Sequence, residues 1–297
     1  MLQQTRVSVV RPRYQDFISR FPTVRSLADA DVDDVVAAWS GLGYYARARN
    51  MHAAARIIVR DHEGLFPSDL GAARALPGVG PYMSRAVLSI AYGLPLAVVD
   101  GNVIRVLSRI GMIPSRSAQI LQTEADRLLD PDEPGDANQA LMELGATICT
   151  PTSPACSECP MHSICGARLA GRIGDFPPRR GRPSTITSSR TIWVAKDESG
   201  RFWLERRTRP PLRGLWTFPW REEECDPMTP RLGTLEHAVM NRRYLCEVCL
   251  AREGTAGIPG EPAGPGQWIE PARLAGLPHS SLVTKTLRIL TGQGVKG

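Results

Sequence analysis

The stretch CTPTSPACSECPMHSIC, residues 149–165, holds four of the chain's seven cysteines, with six, two and five residues between them. Thiolates this close in sequence can chelate a metal without a preformed core, because each closure costs little once its neighbour is bound. Zinc ribbons use two tight Cys-x2-Cys pairs, and here only Cys156 and Cys159 form one. The wider intervals permit ligands to wrap a cubane iron-sulfur cluster, while tetrahedral zinc stays open on spacing alone. His162 lies inside the loop, but four thiolates suffice without it. Flanking Pro and Ser residues would make a poor core for unliganded thiols. Cys225, Cys246 and Cys249 lie far downstream, so the set is not the even framework of a small secreted protein. In YLCEVCL, Cys246 and Cys249 have a strand setting and no second pair, and read as packing residues.

The chain has 297 residues, 42% of them hydrophobic, which suits a globular protein of two domains. No start combines basic residues, an apolar run and a small-residue cleavage site, and no apolar run is long enough to span a bilayer. The expected compartment is the cytoplasm. The net charge is +6 and the pI about 9.1. The basic residues are almost all arginine, whose planar fork suits phosphate, so a polyanionic partner fits.

The first 170 residues carry helical periodicity. In ADVDDVVAAWSGLG, Val32, Val35, Val36 and Trp39 share a face, with Asp31 as a cap and Gly41 as a stop. Met51, Ala55 and Ile58 mark a second helix, Met83 to Tyr92 a third, and GNVIRVLSRIG begins another. DANQALMELGATIC places Ala137, Leu141, Leu144 and Ile148 on one stripe and delivers Cys149 at its end. Residues 172–190, rich in Gly, Pro, Ser and Arg, read as a linker. Beyond them TIWVA, RFWLERR, GLWTFPW and YLCEVCLA are short strand-like segments, and SSLVTKTLRIL is a helix. Residues 191–297 are thus expected to form a small α+β domain.

The cysteine spacing resembles the cluster loop of the helix-hairpin-helix DNA glycosylases related to endonuclease III. MLQQT at the start, WSGLGYYARARN at 39–50, LPGVGPY at 76–82 and VVDGNVIRVLSR at 98–109 resemble the adenine DNA glycosylase (MutY) family within it. The resemblance implies a mostly α helix-hairpin-helix glycosylase domain over 1–171, with the hairpin at 76–84 and the cluster loop at 149–165. It also implies a 4Fe-4S cluster on Cys149, Cys156, Cys159 and Cys165, chiefly structural, and a Nudix-like C-terminal domain. RFWLERR, PLRGLWTFPW and WIEPARLAGLPHSSLVTKTLRIL carry the Nudix relation. REEEC at 221–225 lacks the spacing of a Nudix catalytic box, so pyrophosphatase activity is not expected.

In LPGVGPY, Gly78 and Gly80 allow a sharp turn between helices that brings backbone N–H groups toward an anion. Pro81 suits the first position of the next helix, whose positive end can face a phosphate. Such contacts hold register without identifying a base, so reading a base requires swinging it out of the duplex. By motif match, Gln4 and Tyr44 wedge or stack beside 8-oxoguanine, and Leu2 and Gln3 shape the same edge. Arg47 and Arg49 are candidate phosphate contacts. Asp100, between an apolar segment and a helix, can hold a carboxylate near helix N–H groups, where it would stabilise positive charge on the sugar as the base leaves. The resemblance makes it the catalytic residue.

Adenine leaves readily only when its ring is protonated, which requires a second carboxyl group. In the family that glutamate stands two residues before the Met of MLQQT, so it falls outside this sequence, and the glycosylase domain is expected to be N-terminally truncated. No acidic residue precedes Asp16. No lysine occurs before Lys196, and Tyr82 stands where endonuclease III-like lyases carry theirs, so strand scission through a Schiff base is not expected. The element that senses 8-oxoguanine matches EHAVMNRRY, with Val239, Met240 and Asn241 in place of the family's Phe-Ser-His. Asn241 could still donate and accept hydrogen bonds, and His237 is a candidate for the same edge.

The expected function is removal of adenine mispaired with 8-oxoguanine or guanine by a monomeric, nucleoid-associated protein whose partner is double-stranded DNA. The alternatives are a non-catalytic mismatch-binding remnant and another mismatch DNA glycosylase.

Overall fold

The computed structural model describes residues 1–3, 5–178, 184–239, 241–251, 258 and 264–292. Gln4, Met240 and residues 179–183 of the expected linker therefore lie outside the described residues. The chain divides into two compact units, Met1–Arg56 together with Pro183–Gly297, and Ile57–Arg182.

The helical part runs α1 (Val7–Arg20), α2 (Val24–Asp29), α3 (Val32–Ala38), α4 (Ala46–Asp61), α5 (Leu70–Ala75), α6 (Pro81–Tyr92), α7 (Gly101–Ile110), α8 (Ala118–Leu128), α9 (Pro134–Thr147) and α10 (Gly166–Leu169). Local chemistry sets several starts. Thr23 and Ser26 form a reciprocal capping box on α2, and the Asp31 and Asp69 side chains accept amide protons at the starts of α3 and α5. Apolar spacing then buries Val35, Val36 and Trp39, with Phe17 meeting Trp39 edge to face at 5.8 Å. In Ile57–Arg182 the core gathers Ala97, Val103, Leu107, Leu121 and Ala125, with Leu141 and Met142 packed against it.

The expected stripe on α9 is shifted. The buried positions are Pro134, Asn138 and Gly145, while Ala137, Leu144 and Ile148 are only half-buried. Two short-range demands outweigh side-chain size. Asn138 accepts from the Val98 amide at 2.8 Å and donates to Ser89 Oγ and the Leu96 carbonyl, satisfying a buried polar junction. Gly145 lies so close to Asn102 that a Cβ there would stand 2.6 Å from the Asn102 Cβ.

The second half begins earlier than expected, because β1 (Ile186–Val194) uses residues read as linker. It is followed by β2 (Phe202–Arg206), β3 (Trp216–Thr217), β4 (Trp220–Arg221), β5 (Arg231–Val239), β6 (Arg242–Leu250), β7 (Gly266–Ile269) and α11 (Ser281–Leu290). One sheet has the order β4-β1-β6-β5 and the other β3-β2-β7. β1 and β6 pair in parallel from Ile186 opposite Arg242 to Val194 opposite Leu250, and β5 and β6 form an antiparallel hairpin. Ile192, Leu204, Phe218 and Val248 are fully buried.

The packing assignment of Cys249 is corrected: it forms a disulfide with Cys225, which lies in the irregular segment after β4. Cys246 remains a free, buried thiol, and burial pushes its pKa up to about 11.

Candidate active site and cysteine loop

Within Ile57–Arg182, LPGVGPY forms the turn between α5 and α6. Gly78 takes φ +78°, a left-handed conformation that favours glycine, and Gly80 is the extended N-cap of α6. Gly80 supplies no side-chain cap, Pro81 follows at the first helical position, and Gly78, Gly80 and Pro81 are exposed. The start of this twelve-residue helix therefore faces outward as a positive end.

Tyr82, one residue further on, sends its hydroxyl toward Met142 Sδ at 3.6 Å. Its pKa is raised by burial and then by the negative charge of Asp100, so the phenol and the carboxylate are electrostatic neighbours. Asp100 is the N-cap of α7: its Oδ1 accepts from the Asn102 amide at 2.8 Å and the Val103 amide at 2.7 Å. Asn102 Nδ2 reaches Oδ2 at 3.4 Å. The carboxylate is thus held against a helix N-terminus yet only half-buried, accessible to a ligand.

The same helix grips the cysteine loop. Arg105 donates to the Cys149 carbonyl at 2.6 Å, to the Gly145 carbonyl at 2.5 Å and to Asn102 Oδ1 at 2.9 Å. Arg109, only 3% exposed, donates to Cys149 Sγ at 3.2 Å and to the carbonyls of Thr150, Pro151 and Phe176. Sequence reasoning passed over both residues. The available signal was two arginines one helical turn apart in a strongly amphipathic helix, with Asp100 at its head.

Cys149, Cys156, Cys159 and Cys165 line one partly open hollow, together with Ile148, Pro154 and Ile173. Tetrahedral zinc at about 2.3 Å from each sulfur would hold thiolates about 3.8 Å apart. Among the described residues, the group of three or more candidate ligand atoms lying within 4.8 Å of one another is Cys225, Glu247 and Cys249, not the loop cysteines. The loop sulfurs are spread wider than one zinc ion requires, and the donor set fits a larger, thiolate-held group. At Cys225 and Cys249 the sulfurs are bonded to each other.

Met1–Arg56 presents a different edge. Leu2 is 59% and Tyr44 50% exposed, and Gln3 is half-buried. Arg47 turns inward: both terminal nitrogens are occupied by backbone carbonyls and Thr5, so a direct phosphate contact gives way to a structural one. Arg49 lies half-buried, its Nη1 against Gly214.

In Pro183–Gly297, Asn241 is exposed at the turn of the β5–β6 hairpin and Val239 ends β5. His237 is not displayed at that edge. It is 5% exposed, packs edge to face on Trp220, and has no partner for Nε2. Burial, and then the Lys285 charge, lowers its pKa to about 4, so it is neutral at pH 7.

Residues 1–131 match the family model of the HhH-GPD superfamily base excision DNA repair protein, and residues 149–165 match the iron-sulfur binding domain of endonuclease III. The helical part of the chain is thus similar to the HhH-GPD superfamily. It is similar to the adenine DNA glycosylase of Homo sapiens, 47% identical over 174 residues that make up 57% of this chain and 32% of that protein. It is also similar to the adenine DNA glycosylase of Buchnera aphidicola subsp. Schizaphis graminum, 33% identical over 74% of this chain and 65% of the relative. The chain thus spans between about a third and two thirds of the length of these curated relatives. Among solved structures, a thermostable thymine-DNA glycosylase matches 57% of this chain and 80% of its own, at 27% identity and a TM-score of 0.53. Among the described residues no helix is long and apolar enough to cross a membrane.

Proposed function

We propose that this protein is an HhH-GPD adenine DNA glycosylase of base excision repair, hydrolysing the bond between adenine and deoxyribose where adenine is mispaired with 8-oxoguanine or guanine. The observation that carries the reading is Asp100, an accessible carboxylate held by two α7 amides beside Tyr82, in the unit that also holds the α5–α6 hairpin. As the C1′–N bond breaks, its electron pair leaves with the base and positive charge grows on the sugar. The fixed carboxylate stabilises that charge without reorganising. Water then supplies hydroxide to C1′. Departure of the ring also needs a proton, which a second acid must supply. The exposed start of α6 and the arginine-rich surface hold duplex phosphates.

The four loop cysteines would hold a 4Fe-4S cluster, supported by their shared hollow and by sulfurs too spread for one zinc ion. When bound, the cluster would supply a cross-link that orders the cysteine loop. Arg105 and Arg109 fix the loop's carbonyls and the Cys149 sulfur. We assign residues 191–297 a Nudix-like fold on the RFWLERR and PLRGLWTFPW segments and the two sheets they enter.

Single-turnover excision on a duplex carrying adenine opposite 8-oxoguanine tests the reading, comparing this chain with one extended upstream of Met1. Adenine release by the extended chain is the expected result. Mismatch binding without release of any base by either chain would favour a binding remnant, and release of thymine instead would favour a different mismatch glycosylase.

A further inference from the structure

Arg47 stands at the first turn of α4, beneath the exposed edge formed by Leu2 and Tyr44. Its Nη1 donates to the Met1 carbonyl at 2.8 Å and to the Gln3 carbonyl, while Nη2 donates to Thr5 Oγ1 at 2.8 Å and to the Leu42 and Gly43 carbonyls at 3.0 and 3.2 Å. One guanidinium therefore ties two chain segments about forty residues apart in sequence. Its flat faces are occupied as well. Cζ lies 5.2 Å from the centre of the buried Trp39 ring and 5.7 Å from that of the exposed Tyr44 ring.

The turn it closes is strained. Gly41, Gly43 and Tyr44 take φ of +83°, +67° and +47°, and the last is a conformation that a tyrosine adopts at a cost. Trp39 Nε1 donates to the Gly43 carbonyl at 3.2 Å and Thr5 Oγ1 reaches the Leu42 carbonyl at 3.4 Å, so the same turn is pinned from three directions. A strained tyrosine held half-exposed, over a cation whose two terminal nitrogens are taken up by the Met1–Thr5 segment and the Leu42–Gly43 carbonyls, is an arrangement that fixes orientation rather than one that binds an anion.

We infer that Arg47 is a positioning residue: it latches Met1, Gln3 and Thr5 to the Leu42–Tyr44 turn, so that Leu2 and Tyr44 project together as one rigid wedge for a DNA duplex. The inference rests on the glycosylase reading above. Lysine cannot replace the arginine, because an ammonium presents its donors from one point and cannot span carbonyls on both segments. It would nevertheless keep the positive charge, and that separates a latch from a phosphate contact.

The test uses the full chain and a duplex with 2-aminopurine opposite 8-oxoguanine, whose fluorescence rises when the base unstacks. Anisotropy across salt concentrations reads phosphate contacts in parallel. The wild-type chain should bind and brighten the probe. Arg47→Lys should bind with the same salt slope yet leave the probe close to its free-duplex brightness, with the circular dichroism of a folded chain. Thr5→Val, which removes one acceptor, should bind equally and lose part of the brightening, and it decides the matter should Arg47→Lys not fold. Full brightening by folded Arg47→Lys, or undiminished brightening by Thr5→Val where the lysine variant is unfolded, would overturn the latch. A wild-type chain that binds no duplex would remove the glycosylase reading and the wedge with it.

Discussion

Asparagine at position 100 would keep an acceptor for the Asn102 and Val103 amides while removing the negative charge, and as a helix cap it is about as good as aspartate. Asp100→Asn should therefore melt within a few degrees of the wild type, while excision by a chain that carries the upstream segment falls on the order of 10²- to 10³-fold, the scale of losing one fixed transition-state partner. Quench-flow single-turnover rates beside a thermal melt separate the two effects. His237 yields a pH prediction. Its pKa falls from 6.5 to about 4 on folding, so between those values the unfolded chain binds a proton that the folded chain does not. Stability is fully present above about pH 6.5 and falls as the pH drops toward 4, by on the order of 3 kcal/mol. His237→Phe should flatten that part of the stability curve in urea titrations at stepped pH. At this scale the sequence disclosed residues whose motif is local, such as Asp100 as a cap and the four loop cysteines. It could not disclose Arg47's inward turn, the burial of His237, or the Cys225–Cys249 bond, because each depends on partners distant along the chain.

Among elements, the contact of α7 with α9 is the most exacting. A methyl group at Gly145 would meet Asn102 Cβ at 2.6 Å and its backbone at 3.0 Å, neither of which can give way cheaply. Gly145→Ala should lower stability by about 1–3 kcal/mol, as overpacking does, with the loss visible in denaturant midpoints. Helix existence was legible where apolar residues recurred at helical spacing beside a cap, as in α3 and α7. The buried face of α9 was not, because it is chosen by a hydrogen-bonding asparagine and a glycine contact rather than by its larger apolar side chains. Strands were legible as segments, but the parallel pairing of β1 with β6 was not. Alternation records which face is buried and says nothing of which strand lies alongside.

Across the whole molecule, the Cys225–Cys249 bond spans 24 residues that include β5 and most of β6. Closing a loop of that size restrains the unfolded chain by about 3 kcal/mol. Reductant should lower the melting temperature of the wild type, and the Cys225→Ser/Cys249→Ser pair should melt at one temperature with or without it. The division of the chain has a consequence for the order in which it is made. Ile57–Arg182 is continuous, so all its contacts become available once residue 182 has emerged from the ribosome. Met1–Arg56 shares its unit with Pro183–Gly297, and ties such as Tyr45 Oη to the His279 carbonyl at 2.9 Å and Arg206 to Asp33 at 2.5 Å join residues synthesised early to residues far downstream. During translation Met1–Arg56 must therefore wait for these downstream residues before the bonds can close, and a nascent chain halted near residue 200 should leave Asp33 and Tyr45 far more open to hydrogen exchange than the interior of α7.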